Sequence, residues 1–340
     1  MNNVRPDGPL TALITLLFVR GRIWLGVVLA TWSMTAAHAA APMVKTQAPG
    51  YYRMMLGAFE VTALNDGVVA LPVILLNVSP DEVHDCIEEM YLTDPFEMSF
   101  NAFLINTGNK LVLIDTGMGE VKTAGWYGAG HLLANLRAAG YQPEQIDEVY
   151  ITHTHPDHVG GLILGDQRAF PNAIVRAAGR EMEPFLNPPA TPADLLKAPY
   201  KDRAKANFKL IRDLFEPYVK AGKYQNFDGD VQLVPGIRAM ATHGHTPGHT
   251  SYVVESEGQT LVVLGDLVHI GAVQFGNPSA QASSDIDPLA ATAERKRVFQ
   301  VVANHGFWVA GAHLAFPGLG HIGAEQHRYL WVPANYVIPH

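Results

Sequence analysis

Apolar and polar residues alternate across residues 59–66, FEVTALND, and that period of two predicts a strand. FNAFLINTGNKLVLIDTG (100–117) predicts a hairpin turned at TGNK, with LVLID as a buried strand. In GHLLANLRAAG (130–140) the pattern changes to a helical period. Leu132, Leu133 and Leu136 share a face there, and Gly140 is a stop signal. EVYIT (148–152) and AIVRAA (173–178) read as further strands. Residues 180–225 read as a mostly helical, proline-interrupted insertion, with Phe208, Ile211 and Phe215 at helical spacing before Pro217. The later half returns to strands at IRAMATH, SYVVES and TLVVLGD. A helix over LAATAERKRVFQVVANHG and a strand FWVAGAH follow. Strand, helix and strand thus alternate in both halves, which predicts an α/β fold of packed sheets with helices outside.

The first 39 residues depart from this pattern. Arg5, Arg20 and Arg22 precede the apolar stretch IWLGVVLATW, and AHA at 37–39 offers the small residues a signal peptidase reads. The apolar run is shorter than the ~20 residues a spanning helix needs, so a signal peptide over 1–39 is expected rather than an anchor. The mature chain, 40–340, is then a single domain in a bacterial periplasm. Its formal charge moves from -8 to -10, because the leader carries three arginines and Asp7. An acidic surface repels nucleic acid and anionic lipid, so neither is an expected partner. Cys86 is the only cysteine, which excludes an internal disulfide and thiolate zinc sites.

The chemistry gathers just after strands. His153 and His155 lie two apart on an extended segment, so their rings project to one side. Pro156 keeps His155 extended, and Asp157 and His158 follow in the turn. GHTPGH supplies His249, LVVLGD ends on Asp266, and WVAGAH ends on His313. This mixture of imidazole and carboxylate suits zinc, with manganese, cobalt and iron also accepted. Seven donors are too many for one tetrahedral ion. They suit two divalent ions with Asp266 between them, and two ions about 3.5–4 Å apart can activate a shared water as hydroxide.

HTHPDH, GHTPGH, GD and a final strand-end histidine, in this order, resemble the metallo-β-lactamase superfamily. The resemblance implies a four-layer αββα sandwich with the site at one edge. It also implies that His153, His155 and His249 hold one metal, that Asp157, His158 and His313 hold the other, and that Asp266 bridges them. Asp115 in LIDTG matches the superfamily's first motif, a carboxylate steadying the ligand loop. NTGNKLVLIDTG, EPYVKAGK, HGHTPGHTSYVVES and FPGLGHI further resemble the branch that hydrolyses organophosphorus triesters of the methyl parathion type. That likeness implies a secreted homodimer acting on a small neutral ester, with an aromatic pocket for an aryl leaving group. Trp126, Tyr127, Phe185 and Phe208 are the candidates for that pocket.

Bland readings stand beside these. His243 and His245 neighbour the GHTPGH turn and read as turn or supporting residues. His131, His269, His305 and His321 have no partner motif and read as core or surface histidines. The expected activity is phosphotriester hydrolysis. A lactonase or aryl esterase with incidental triesterase activity is the alternative. A glutathione thiolesterase or a ribonuclease would want a basic surface, which this chain lacks.

Overall fold

The structure is a computed structural model. It describes residues 41–121, 126, 128–187, 201–326 and 328–338, with the backbone alone for 201–206. The expected signal peptide and Tyr127 lie outside the described residues. Residues 41–48 carry no regular structure, and Pro49–His340 is one compact unit.

Two seven-stranded sheets are each laid down in chain order. The first runs Tyr51–Leu56, Phe59–Leu71, Phe96–Asn106, Leu111–Ile114, Glu148–Tyr150, Ile174–Ala178 and Tyr224–Phe227. The second runs Val231–Val234, Ile237–Ala241, Thr250–Ser256, Gln259–Val263, Trp308–Ala310, Leu319–Glu325 and Arg328–Pro333. The expected hairpin is present, pairing Phe103 with Ile114 and Asn106 with Leu111.

Alternation along the strands builds the layers. Phe103, Ile105, Val112, Ile114 and Tyr150 point inward and meet Tyr252, Val254, Leu261, Val263 and Ala310 of the second sheet. Their neighbours Leu104, Leu111, Leu113 and Val149 point outward against Leu132 and Leu136 of the helix Leu132–Ala138. Ile211, Leu214 and Phe215 of the helix Lys201–Lys220 pack on the same side. Val253, Val262 and Val309 of the second sheet face outward to Val298, Phe299 and Val302 of the helix Pro288–His305. Both faces of both sheets are therefore buried, giving the expected helix–sheet–sheet–helix order. Among the described residues, no helix is long and apolar enough to cross a membrane.

The sandwich also positions the site. Leu111–Ile114, Glu148–Tyr150 and Ile174–Ala178 run parallel, as do Gln259–Val263 and Trp308–Ala310. Asp115, the 153–158 segment, Asp266 and His313 each follow one of these parallel strands at its C-terminal end, where α/β proteins place their ligands.

Candidate metal centre

Three imidazoles converge in one half of the site. His153 Nε2 lies 2.9 Å from His155 Nδ1, which lies 3.0 Å from His245 Nε2. In the other half, His158 Nε2 and His313 Nε2 stand 3.4 and 3.5 Å from Asp157 Oδ2. Asp266 lies between the halves. Its Oδ1 is 3.1 Å from both His158 Nε2 and His313 Nε2, and its Oδ2 is 3.2 Å from His245 Nε2 and 3.5 Å from His153 Nε2. One carboxylate thus turns an oxygen to each cluster.

The donor set fits two divalent ions. His158 Nε2 and Asp266 Oδ1 are fully buried and make no hydrogen bond despite their proximity. Buried polar atoms normally find partners, and a cation between these two would satisfy both. In the protein alone, protons partly take that role. Burial lowers the His158 imidazole, but Asp266, Asp157 and Asp115 outweigh it and raise it well above its usual range. Burial likewise opposes charge on His245, yet Asp266 and Asp285 push it up to about 9. At His153 and His155 nearby carboxylates act in the same direction but do not outweigh burial and the neighbouring imidazoles. Burial takes His153 well below its usual value and His155 down to about 3.

The outward ring nitrogens of His158, His245 and His313 have partners that fix their tautomers. Asp115 Oδ2 accepts from His158 Nδ1 at 2.8 Å, and Asp115 also accepts from Thr152 N and Thr152 Oγ1. Asp285 Oδ1 does the same for His245 Nδ1 at 2.8 Å, and the Ser99 carbonyl accepts from His313 Nδ1 at 3.3 Å. Such outer partners aim the inner nitrogens and strengthen them as ligands. Asp115 has a left-handed backbone, φ 62°, which aspartate tolerates better than most residues.

The structure corrects the expectation for His249. Its Nε2 accepts the Asp266 backbone N–H at 3.0 Å, and its Nδ1 donates to the Thr242 carbonyl at 3.0 Å. With both nitrogens occupied it has no lone pair for a metal. It packs over Gly265, where a Cβ would sit 2.6 Å from the His249 ring, and so braces the turn that presents Asp266. His245, four residues earlier in the same motif, stands in the donor cluster instead. His269 is a second correction. Its Nε2 lies 3.1 Å from Asp266 Oδ2 and its ring stacks on His313 with centroids 5.3 Å apart, so it belongs to the site rather than to the core or surface.

Asp285 and Asp66 carry no motif that sequence reading could detect. Buried Asp66 accepts from the backbone N–H groups of Met118, Gly130 and Leu132, fixing both ends of the loop that bears Trp126. Trp126 lies on Phe100, centroids 5.3 Å apart, and Phe100 meets His313 edge-on at 5.2 Å. That places Trp126 one ring away from the donors. Phe185 and Phe208 meet at a tilt, centroids 4.7 Å apart, and Phe185 packs against the core outside the first sheet.

Several known proteins are similar to this chain. A solved structure described as the hydrolase AbOPH in the beta lactamase superfamily matches with TM-score 0.80 and 34% identity, covering 86% of this chain and all of the other. AidC, a dizinc quorum-quenching lactonase in complex with a product, matches with TM-score 0.77 and 26% identity, covering 85% of this chain and 99% of its own. The N-acyl homoserine lactonase of Bacillus cereus is 28% identical over 178 residues, which are 48% of this chain and 60% of that protein. The match thus spans less than two thirds of that relative's length. The sequence profile of the Metallo-beta-lactamase superfamily matches residues 98–313, the stretch that runs from the hairpin to the last strand-end histidine. With the profile spanning every donor from Asp115 to His313, the chain belongs to the metallo-β-lactamase superfamily.

Proposed function

We propose that the protein is a dinuclear metal-dependent lactonase, acting on N-acyl homoserine lactones or related cyclic and aryl esters. The observation that carries this reading is the pair of three-ligand clusters joined by Asp266. The likeness to the dizinc lactonase AidC across most of both chains supports it. His153, His155 and His245 would hold one ion, and Asp157, His158 and His313 the other. Two ions there would supply an activated water and a Lewis acid to polarise the ester oxygen. Asp266 fixes the separation of the halves, while Asp115 and Asp285 hold protons on the outer nitrogens of His158 and His245 so that the inner ones stay free. An acidic chain suits a neutral substrate, which needs no cationic clamp.

Phosphotriester hydrolysis is the second reading. The run of ring contacts from Trp126 through Phe100 to His313 favours it, because it brings an aromatic surface beside the donors where an aryl leaving group could depart. Export through residues 1–39 and a homodimeric state remain part of the proposal. N-terminal sequencing of the exported protein and light scattering would test them.

The deciding experiment compares kcat/KM for an N-acyl homoserine lactone, dihydrocoumarin and methyl parathion on protein of measured metal content. A dominant lactone rate is expected. A dominant methyl parathion rate would put the second reading first. Activity that survives complete chelation would overturn the metal centre itself.

A further inference from the structure

Glu181 lies in the first turn of the helix Gly179–Leu186, outside every motif and in contact with none of the metal-ligating atoms. It is a carboxylate in the interior, 4% exposed. Its Oε1 accepts from Thr154 N at 2.9 Å and Thr154 Oγ1 at 2.7 Å, and its Oε2 accepts from Gly248 N at 2.9 Å. Thr154 stands between His153 and His155. Gly248 stands in the turn that carries His245. One side chain therefore ties together the two segments that supply all three converging imidazoles. The contact is close enough that any Cβ on Gly248 would collide with the backbone and Cβ of Glu181.

The other half of the site is held differently. Asp115 secures His158, and the Ser99 carbonyl secures His313, with no bond to Glu181 in either case. Asp115 also reaches the first half through Thr152, whose hydroxyl lies 3.1 Å from His153 Nδ1, whereas the bonds of Glu181 go to the first half alone.

We propose that Glu181 is a positioning residue for the three-imidazole half of the centre, setting the spacing of the His153–His155 segment against the His245 turn. The inference rests on the dinuclear reading above. An ionised carboxylate suits the role because all three groups facing it are donors, and it can accept from each without a proton of its own. Glutamine cannot reproduce this. Its amide oxygen can serve Thr154, but its NH2 group then meets the Gly248 N–H donor to donor.

The test follows zinc transfer from the loaded protein to a chromophoric chelator. The two release phases are assigned with His313→Ala, which disables the other half. In Glu181→Gln the three-imidazole phase should accelerate about 10–100-fold, the usual cost of losing an outer-shell partner, while the other phase keeps its rate. Asp115→Asn should accelerate the other phase, and through Thr152 and His153 the three-imidazole phase as well. A bond that merely stabilises the fold would speed both phases together and lower the melting temperature of the metal-free protein to match. That result, or an unchanged three-imidazole phase, would overturn the proposal. Should Glu181→Gln fail to fold, Thr154→Val removes only the hydroxyl donor and should accelerate the same phase by a smaller factor. A wild-type chain that binds fewer than two zinc ions would overturn the dinuclear reading and this proposal together. Two ions with no selectivity would overturn this one alone.

Discussion

Asp115→Asn isolates the tautomer of one ligand. Asp115 Oδ1 accepts from Thr152 N at 2.8 Å, and Oδ2 accepts from Thr152 Oγ1 and His158 Nδ1, both at 2.8 Å. Asparagine keeps the left-handed backbone at this position, where alanine would add about 1–2 kcal/mol of strain. Its carbonyl can still serve Thr152 N, so the amide group faces His158. A donor now confronts Nδ1, and the imidazole answers by moving its proton to Nε2, the nitrogen that points at Asp157 and Asp266. A protonated Nε2 cannot bind a metal. Restoring the ligating tautomer then leaves two donors opposed, a weakening of about 10–100-fold in metal affinity, or about 1.4–2.8 kcal/mol. The loss to folding is about 1–3 kcal/mol, because the Thr152 hydroxyl can turn its lone pair to the amide and only the His158 bond is forfeited. Chelator competition at neutral pH measures the affinity, and calorimetric unfolding of the metal-free protein measures the fold. Wild-type affinity for both ions in a folded Asp115→Asn protein would refute the argument that this carboxylate sets the ligand's tautomer.

Exchanging the two histidines of the GHTPGH motif should separate ligand from brace. His245→Ala should carry one zinc per chain after dialysis and lose activity. His249→Ala should keep two, at a cost of about 1–3 kcal/mol for the unpaired Asp266 N–H. The reverse pattern in metal analysis would restore His249 as the ligand. Asp66→Ala leaves three backbone donors without their acceptor, those of Met118 and Leu132 buried, so stability should fall by about 2 kcal/mol or more in denaturant unfolding. Its tryptophan fluorescence should also change as the loop around Trp126 loosens, and an unaltered unfolding midpoint would count against the anchor. Zinc binding to the metal-free protein should release protons at pH 7. His245 is pushed up to about 9, and His158 and His313 are also raised, so protons must leave before the lone pairs can bind. Apparent zinc affinity should therefore rise from pH 7 towards 9 and then level off. Calorimetric enthalpies independent of buffer ionisation would contradict this.

How far the sequence could be read follows from what each residue depends on. The sheets were legible because their patterns are local. Leu111, Leu113 and Val149 alternate with Val112, Ile114 and Tyr150 between the outer and the inter-sheet cores, and a period of two records that directly. The helix Pro80–Glu89 was not read, although Ser79 caps it and Pro80 opens it, because it carries only three apolar side chains, Val83, Cys86 and Ile87, of which Ile87 alone is buried. In HTHPDH the spacing itself fixes which rings share a side, so four donors could be placed from six residues. In GHTPGH it does not. His245 and His249 are the same residue type in the same turn, and what separates them is distant: Asp285 takes the proton of one, while the Asp266 backbone and Thr242 occupy both nitrogens of the other. Glu181 and Asp66 were missed for the same reason, since the groups they hold lie 27 and 67, or 52 to 66, positions away along the chain. Ligands could be read because metal chemistry restricts their residue types. Their supports could not, because any carboxylate at the right point in space serves, and only the folded chain specifies that point.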